Sequence, residues 1–287
     1  MRKDGINSYP TMPKFEEYKK RFEDYLILKR ENGIIEARIH TDGGEVKWSP
    51  WLHRALIDAW RTIGGDLENE VLIITSTGDH WMGTFNKEEF AEWDAVRDPE
   101  IRYDGLRRPV KAVENQIFDI DIPTIGAING PGALHINFAL LCDIVLCVPD
   151  FVLRDHHFAS GVVPGDSIGL CLQAFLGIRR AAYMMYMSNG IDAKTALEWG
   201  AVNEIVPKDK ILPRAWEIAK EIMKQPRSTR RLTSQIIKRP LKKLILEDYP
   251  LHITSEIYDH NLTGRTHDFE NVSKKWSKHE RLNEKDK

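Results

Sequence analysis

Between Asn129 and Gly169 the chain reads NGPGALHINFALLCDIVLCVPDFVLRDHHFASGVVPGDSIG, a stretch written for burial that nevertheless holds three histidines and several aspartates. Ionisable groups are costly to bury unless partnered, so a cluster of them in apolar sequence marks a candidate site. Histidine titrates near neutrality, which suits it to moving a proton in a reaction at ordinary pH. If the Asp155-His156-His157 run is extended, neighbouring side chains alternate. His157 then lines the pocket with Asp155 on its side, and His156 faces away. His40, His80, His252 and His260 show no helical H-x-x-x-H pairing, and no metal site is expected.

A second chemistry starts from the same stretch. Gly165-Asp166-Ser167-Ile168-Gly169 matches G-x-S-x-G, the nucleophile elbow that would make Ser167 an esterase nucleophile. An elbow needs a strand directly before it and a helix after it. A helix over Ile168 to Phe175 fits, but the preceding ASGVVP is short and ends in Pro164, which has no N–H for a ladder. The serine reading therefore stands behind the histidine one.

The elements that must position these residues read as alternating strands and helices. Tyr25 to Thr41 holds two β-rich runs around Asn32-Gly33, the strongest short hairpin signal. Ser49 to Ile63 has apolar residues at helical spacing (Leu52, Leu56, Trp60), closed by Gly64-Gly65, and leads into the strand Val71 to Thr75. A charged helical stretch from about Lys87 to Phe118, a strand from Thr124 to Ile128, an apolar helix from about Gly132 to Leu141 and a strand from Asp143 to Val148 follow. Asp192 is a good N-cap for AKTALEW, Gly200 a good C′ residue, and AVNEIV a short strand. Pro213 suits a first helical position, and the chain is amphipathic and helical from there to about Leu262.

This alternation argues for an α/β fold with parallel pairing. The expected organisation is a lead-in over 1–22, a core over 23–212, a C-terminal helical region over 213–270 and a polar tail over 271–287. With 41 Lys and Arg against 43 Asp and Glu, no overall field favours nucleic acid or an anionic membrane, so a small, roughly neutral substrate is expected. The first residues carry charges with no apolar stretch after them, and the longest apolar tract, Phe138 to Val148, contains Asp143 and is too short to span a bilayer. A cytoplasmic protein with no membrane partner is expected. Cys142, Cys147 and Cys171 lie in apolar sequence without zinc-site spacing and read as inert buried thiols.

The succession IPTIGAINGPG, FALLCDIVLC, HFASGVVPGDSIG and IDAKTALEWGAVNEIVP resembles the crotonase (enoyl-CoA hydratase/isomerase) superfamily over roughly Tyr25 to Pro226. The resemblance implies the crotonase spiral of ββα units with C-terminal helices, assembled as a homotrimer or as a hexamer of two trimers. It also implies where this chain departs. In the hydratases two glutamates activate water and a glycine-rich turn helps form an oxyanion hole. Here the turn reads Gly132-Ala133-Leu134-His135-Ile136, and the glutamate positions fall on Asn137 and His157. The other oxyanion segment, STGDHWMGTFN, offers Gly83 without its usual neighbours.

These departures resemble the 6-oxocamphor hydrolase-type branch, whose members cleave β-diketones by a retro-Claisen reaction without CoA or another cofactor. That resemblance assigns catalytic roles to His135, His157, Asp166 and Glu256, and substrate contacts to Trp48, His53 and Gly83. Water must attack one carbonyl and the central carbon must leave as an enolate, so the reaction needs a base and donors to two oxygens. His157 is expected as the base, with Asp166 either orienting it or holding His135 as imidazolium. His135 and the Trp48 indole are expected as donors to the carbonyls, and Glu256 and His53 either manage the proton that ends on carbon or complete the polar shell. Three alternatives stand beside a β-diketone substrate: a CoA-thioester hydratase or hydrolase of the same fold, the Ser167 esterase, and a catalytically silent scaffold.

Overall fold

The computed structural model describes residues 13–98, 100–101, 104–105, 110–132 and 134–263. The chain runs α1 (Phe15–Arg21), β1 (Leu26–Glu31), β2 (Ile34–Ile39), β3 (Lys47–Trp48), α2 (Pro50–Gly65), β4 (Val71–Ser76), β5 (Thr84–Phe85) and α3 (Lys87–Ala95). It continues through α4 (Lys111–Phe118), β6 (Thr124–Ile128), α5 (Asn137–Leu140), β7 (Ile144–Cys147), β8 (Val152–Leu153) and α6 (His157–Ser160). The last elements are α7 (Ile168–Leu176), α8 (Ile178–Met187), β9 (Ile191–Asp192), α9 (Ala193–Glu198), β10 (Glu204–Ile205), α10 (Lys208–Met223) and α11 (Arg227–Thr263).

The hairpin forms as the sequence indicates. Asn32 and Gly33 both take positive φ, 49° and 83°, so the two-residue turn matches the twist of β1 and β2. β2, β4, β6, β7 and β10 then pair in parallel, giving a six-stranded sheet in the order β1-β2-β4-β6-β7-β10. β4 and β6 are buried at every residue, as a parallel sheet covered on both faces requires. The Ser49 hydroxyl accepts from Leu52 N at 3.1 Å and starts α2, and Asp192 caps α9 by accepting from Thr195 N at 2.8 Å.

Several expectations need correction. Within the lead-in, α1 forms and buries Tyr18, whose hydroxyl donates to Asp66 at 2.9 Å. Lys87 to Phe118 is not one helix, because Val96 is extended and Pro99 and Pro109 disfavour helix in the residues before them. The helix expected from Gly132 shrinks to α5, since His135 has φ 45° and no helix passes through that conformation. Pro213 lies inside α10, which starts at Lys208, so the expected boundary between 212 and 213 falls within a helix. The helical region is broken into α10 and α11 rather than continuous. Residues 1–12 and the polar tail over 271–287 lie outside the described residues.

α11 is locked to the sheet by buried polar contacts. Asp143 Oδ2 accepts from Thr124 N (2.7 Å), Thr124 Oγ1 (2.9 Å) and Ser234 Oγ (3.2 Å) and pairs with Lys238 Nζ (3.1 Å). Lys238 also donates to the Ile122 carbonyl at 3.1 Å, so its buried charge is both paired and hydrogen-bonded. Among the described residues no helix is long and apolar enough to cross a membrane.

Candidate active site

Two groups of side chains meet beside α5. The first is aromatic. Trp48 leaves β3, which is held in place by its pairing with β5, and His53 rises from the first turn of α2. Their ring centroids are 4.7 Å apart, and the His135 ring lies 3.7 Å from Trp48 and 5.1 Å from His53. Phe138, fully buried, stacks on His135 at 5.6 Å and backs the group. The Trp81 indole donates to the His135 carbonyl at 3.4 Å, so this ring sits on a backbone held from outside the turn. Burial, opposed only by Glu256, lowers the His53 pKa to about 3, and at neutral pH His53 is an uncharged imidazole.

The second group is ionic. His157 opens α6, and Asp155 grips it twice: Oδ1 lies 2.6 Å from Nδ1, and Oδ2 accepts the His157 backbone N–H at 3.1 Å. On the other side of the ring, Nε2 is 3.7 Å from Asp166 Oδ2, and the same oxygen is 3.5 Å from His135 Nδ1. Asp155, His157, Asp166 and His135 thus form a continuous line of acid and base groups. The question of which histidine Asp166 faces resolves geometrically: its Oδ2 lies between both.

Burial lowers the affinity of His157 for a proton, but Asp155, Asp166 and Glu256 outweigh it and raise its pKa to about 10. Burial also pushes the Asp166 carboxyl up to about 6; His157 opposes this, and Glu256 and Asp155 add to it. At neutral pH the favoured state is therefore a His157 imidazolium between carboxylates. The sequence leads to the expectation of His157 as the base with Asp155 on its side; carboxylates at both ring nitrogens favour its protonated form.

The turn that carries Asp166 is supported by α11. Glu256 Oε2 accepts from Gly165 N at 3.0 Å, and Asp259, one helical turn on, accepts from Val163 N at 3.3 Å. A Cβ at Gly165 would lie 2.4 Å from the His252 carbonyl oxygen and 2.6 Å from Glu256 Cβ, so only glycine admits the helix at this distance. Glu256 thereby joins the site although it stands 90 residues after Asp166 in the chain.

Of the residues singled out from sequence, Trp48, His53, His135, His157, Asp166 and Glu256 converge. Gly83 precedes β5 and faces His80, whose Cβ would be 3.2 Å from a Cβ placed there. Ser167 is fully buried and its Oγ accepts from Asn137 Nδ2 at 3.0 Å, and no strand lies directly before it, so the elbow geometry is not met. His156 does not point cleanly away. Its backbone is helical rather than extended, and its buried ring tilts against His157 at 4.3 Å. Asp155 was visible in the sequence only as a residue able to share the His157 side; its two hydrogen bonds to His157 make it part of the site. Asp155, His156 and His157 also offer ligand atoms within 4.8 Å of one another, a grouping the Asp155–His157 hydrogen bond already accounts for.

The enoyl-CoA hydratase/isomerase family model matches residues 31–264. Among solved structures, a β-diketone hydrolase from the cyanobacterium Anabaena sp., bound to (S)-3-oxocyclohexyl acetic acid, is similar with a TM-score of 0.79 at 32% identity, covering 86% of this chain and 98% of that one. An enoyl-CoA hydratase/isomerase from Mycobacterium paratuberculosis shares the fold with a TM-score of 0.72 at 20% identity, covering 81% and 92%. Among characterised sequences, hydroxycinnamoyl-CoA hydratase-lyase of Pseudomonas fluorescens is 27% identical over 199 residues, 68% of this chain and 71% of that protein.

Proposed function

The chain belongs to the enoyl-CoA hydratase/isomerase family, the crotonase superfamily, and from that premise we propose that it hydrolyses a carbon–carbon bond of a β-diketone to give a keto acid. One observation carries this reading: Asp166 Oδ2 stands between His157 Nε2 and His135 Nδ1, at 3.7 and 3.5 Å, and of these His157 occupies a position where the hydratase pattern has a glutamate. The 32% identity to a β-diketone hydrolase bound to an oxo acid, the product class of such a cleavage, supports it.

In this mechanism the Asp166 carboxylate takes a proton from water, and the hydroxide adds to one carbonyl carbon. A carboxylate raised to about 6 is a better base than an ordinary one and is still ionised at neutral pH. The oxygen that becomes an alkoxide is stabilised by the His157 imidazolium and by donors from His135 and Trp48, a contribution of about 10²–10³ in rate per donor. Collapse re-forms the C=O, breaks the bond to the central carbon and leaves its electron pair as the enolate of the second carbonyl. The proton held by Asp166 then passes to that carbon. Water is consumed, one acid and one ketone form, and the site returns to its starting charge. The neutral His53 and the Trp48 and Phe138 rings give the rest of the diketone an uncharged wall.

A CoA-thioester reaction is the second reading, favoured by the CoA-ester activity in the name of the Pseudomonas relative. The same resemblance carries a homotrimer or hexamer, which sedimentation equilibrium would measure. Incubation with cyclic and bicyclic 1,3-diketones should remove the diketone ultraviolet absorbance and yield keto acids, with Asp166→Asn and His157→Ala strongly impaired. No turnover across that panel, together with stoichiometric CoA-ester binding by calorimetry, would transfer the case to the second reading.

A further inference from the structure

We propose that Asn137 is a positioning residue whose buried amide staples the turn carrying His135 to the turn carrying Asp166 and so sets the distance between them. The proposal rests on the functional reading above for its kinetic consequence, but not for its structural one.

Asn137 is the first residue of α5 and is fully buried. Its Nδ2 donates to Ser167 Oγ at 3.0 Å and reaches the Asp166 carbonyl at 3.4 Å. A backbone carbonyl can only accept, so the amide nitrogen, not the oxygen, faces that turn. Both turns hold an L-residue in the left-handed region: His135 at φ 45°, two residues before Asn137, and Ser167 at φ 80°, directly after Asp166. Such residues are strained and persist only where their surroundings over-determine them. One amide touches the second turn directly and is covalently continuous with the first. The result is the 3.5 Å separation of His135 Nδ1 from Asp166 Oδ2.

The residue type follows from this role. A carboxylate at position 137 has no hydrogen to give the Asp166 carbonyl, and it would add a fourth acid beside Asp155, Asp166 and Glu256. An amide bridges the turns without adding charge. Asn137 thus does something a hydratase-type acid at that position could not.

The test compares wild type with Asn137→Ala, Asn137→Asp and Ser167→Gly. Each is assayed for thermal unfolding, for kcat and KM on a diketone the wild type cleaves, and by ¹⁵N NMR titration of the His135 and His157 ring nitrogens. In folded Asn137→Ala, kcat should fall about 100-fold with KM little changed, the scale of a misplacement of about 1 Å. The His135 ring ¹⁵N shifts should also change, because the ring moves off the Asp166 carboxylate. Asn137→Asp should be as impaired. Ser167→Gly removes the acceptor and suits φ 80°, so it should fold even where Asn137→Ala does not and should show the same changes to a lesser degree. Wild-type kcat and an unchanged His135 titration in whichever of these variants fold would overturn the proposal. If the wild type cleaves no diketone, the functional reading fails, and the titration alone decides for or against the staple.

Discussion

Asp155 holds His157 through both carboxylate oxygens, one on the ring Nδ1 at 2.6 Å and one on the backbone N–H at 3.1 Å. The spacing of two residues lets one side chain fix both the position of the histidine backbone and the charge of its ring. Asp155→Asn keeps the shape and removes the charge. His157 should then titrate well below its present value of about 10. Turnover should fall by about 10²–10⁴, the range covered by losing a general acid–base contribution or the carboxylate that orients a catalytic histidine. Ring ¹⁵N shifts and steady-state kinetics check both parts.

Activity should follow a bell-shaped pH profile. The acid limb lies near the value of about 6 for Asp166, which must be ionised to take a proton from water, and the basic limb lies near the value of about 10 for His157, which must stay protonated. Stability has its own sign. Both groups hold protons more tightly folded than unfolded, so the native state binds more protons between about 4 and 6 for Asp166 and between about 6.5 and 10 for His157. Stability should decline as pH rises through each window. Urea midpoints measured across pH should show both declines, the lower one absent in Asp166→Asn and the upper one in His157→Gln.

His135 separates chemistry from backbone strain. His135→Asn suits φ 45° but loses the ring, whereas His135→Ala loses both the ring and the side chain that tolerates this conformation. Both should lose about 10²–10³ in kcat if the imidazole donates to an oxyanion. The asparagine variant should be about 1 kcal/mol the more stable. Equal stability of the two would count against strain at this residue, and wild-type kcat in His135→Asn against the donor role.

Gly165→Ala tests the docking of α11. A methyl group there meets the His252 carbonyl at 2.4 Å and Glu256 Cβ at 2.6 Å, so the helix must shift outward. Overpacking of this kind costs about 1–3 kcal/mol. The same shift lengthens the Gly165–Glu256 hydrogen bond, so activity should fall alongside stability. Thermal unfolding and kcat measured together check this, since a loss in one alone would uncouple the helix from the site.

The fold was legible wherever its determinants are local. Asn32-Gly33 imposes a turn, Asp192 caps a helix, and the buried strands β4 and β6 are apolar runs. It was illegible where one backbone dihedral decides: nothing in GALHIN announces that His135 will turn left-handed and shorten the helix. In the site, the resemblance placed six residues that do converge. Asp155 could be put on the His157 side but not bonded to it, because an aspartate two residues from a histidine is common and its two hydrogen bonds depend on how α6 begins. Asn137 drew notice only for the acid it replaces, because a buried amide between two turns has no sequence signature.

The contribution of α11 to the site bears on how the protein comes into being. Trp48, His53, His135, Asp155, His157 and Asp166 are all synthesised at least 90 residues before Glu256 and Asp259, whose carboxylates accept from Gly165 N and Val163 N. At about 5–20 residues per second, a ribosome takes several seconds more to supply them. A nascent chain can thus build its sheet while its catalytic turn is unsupported. A truncation just before Glu256, which keeps Ser234, Lys238 and Tyr249 in place, should leave an intact-looking core with an unsupported Asp166 turn.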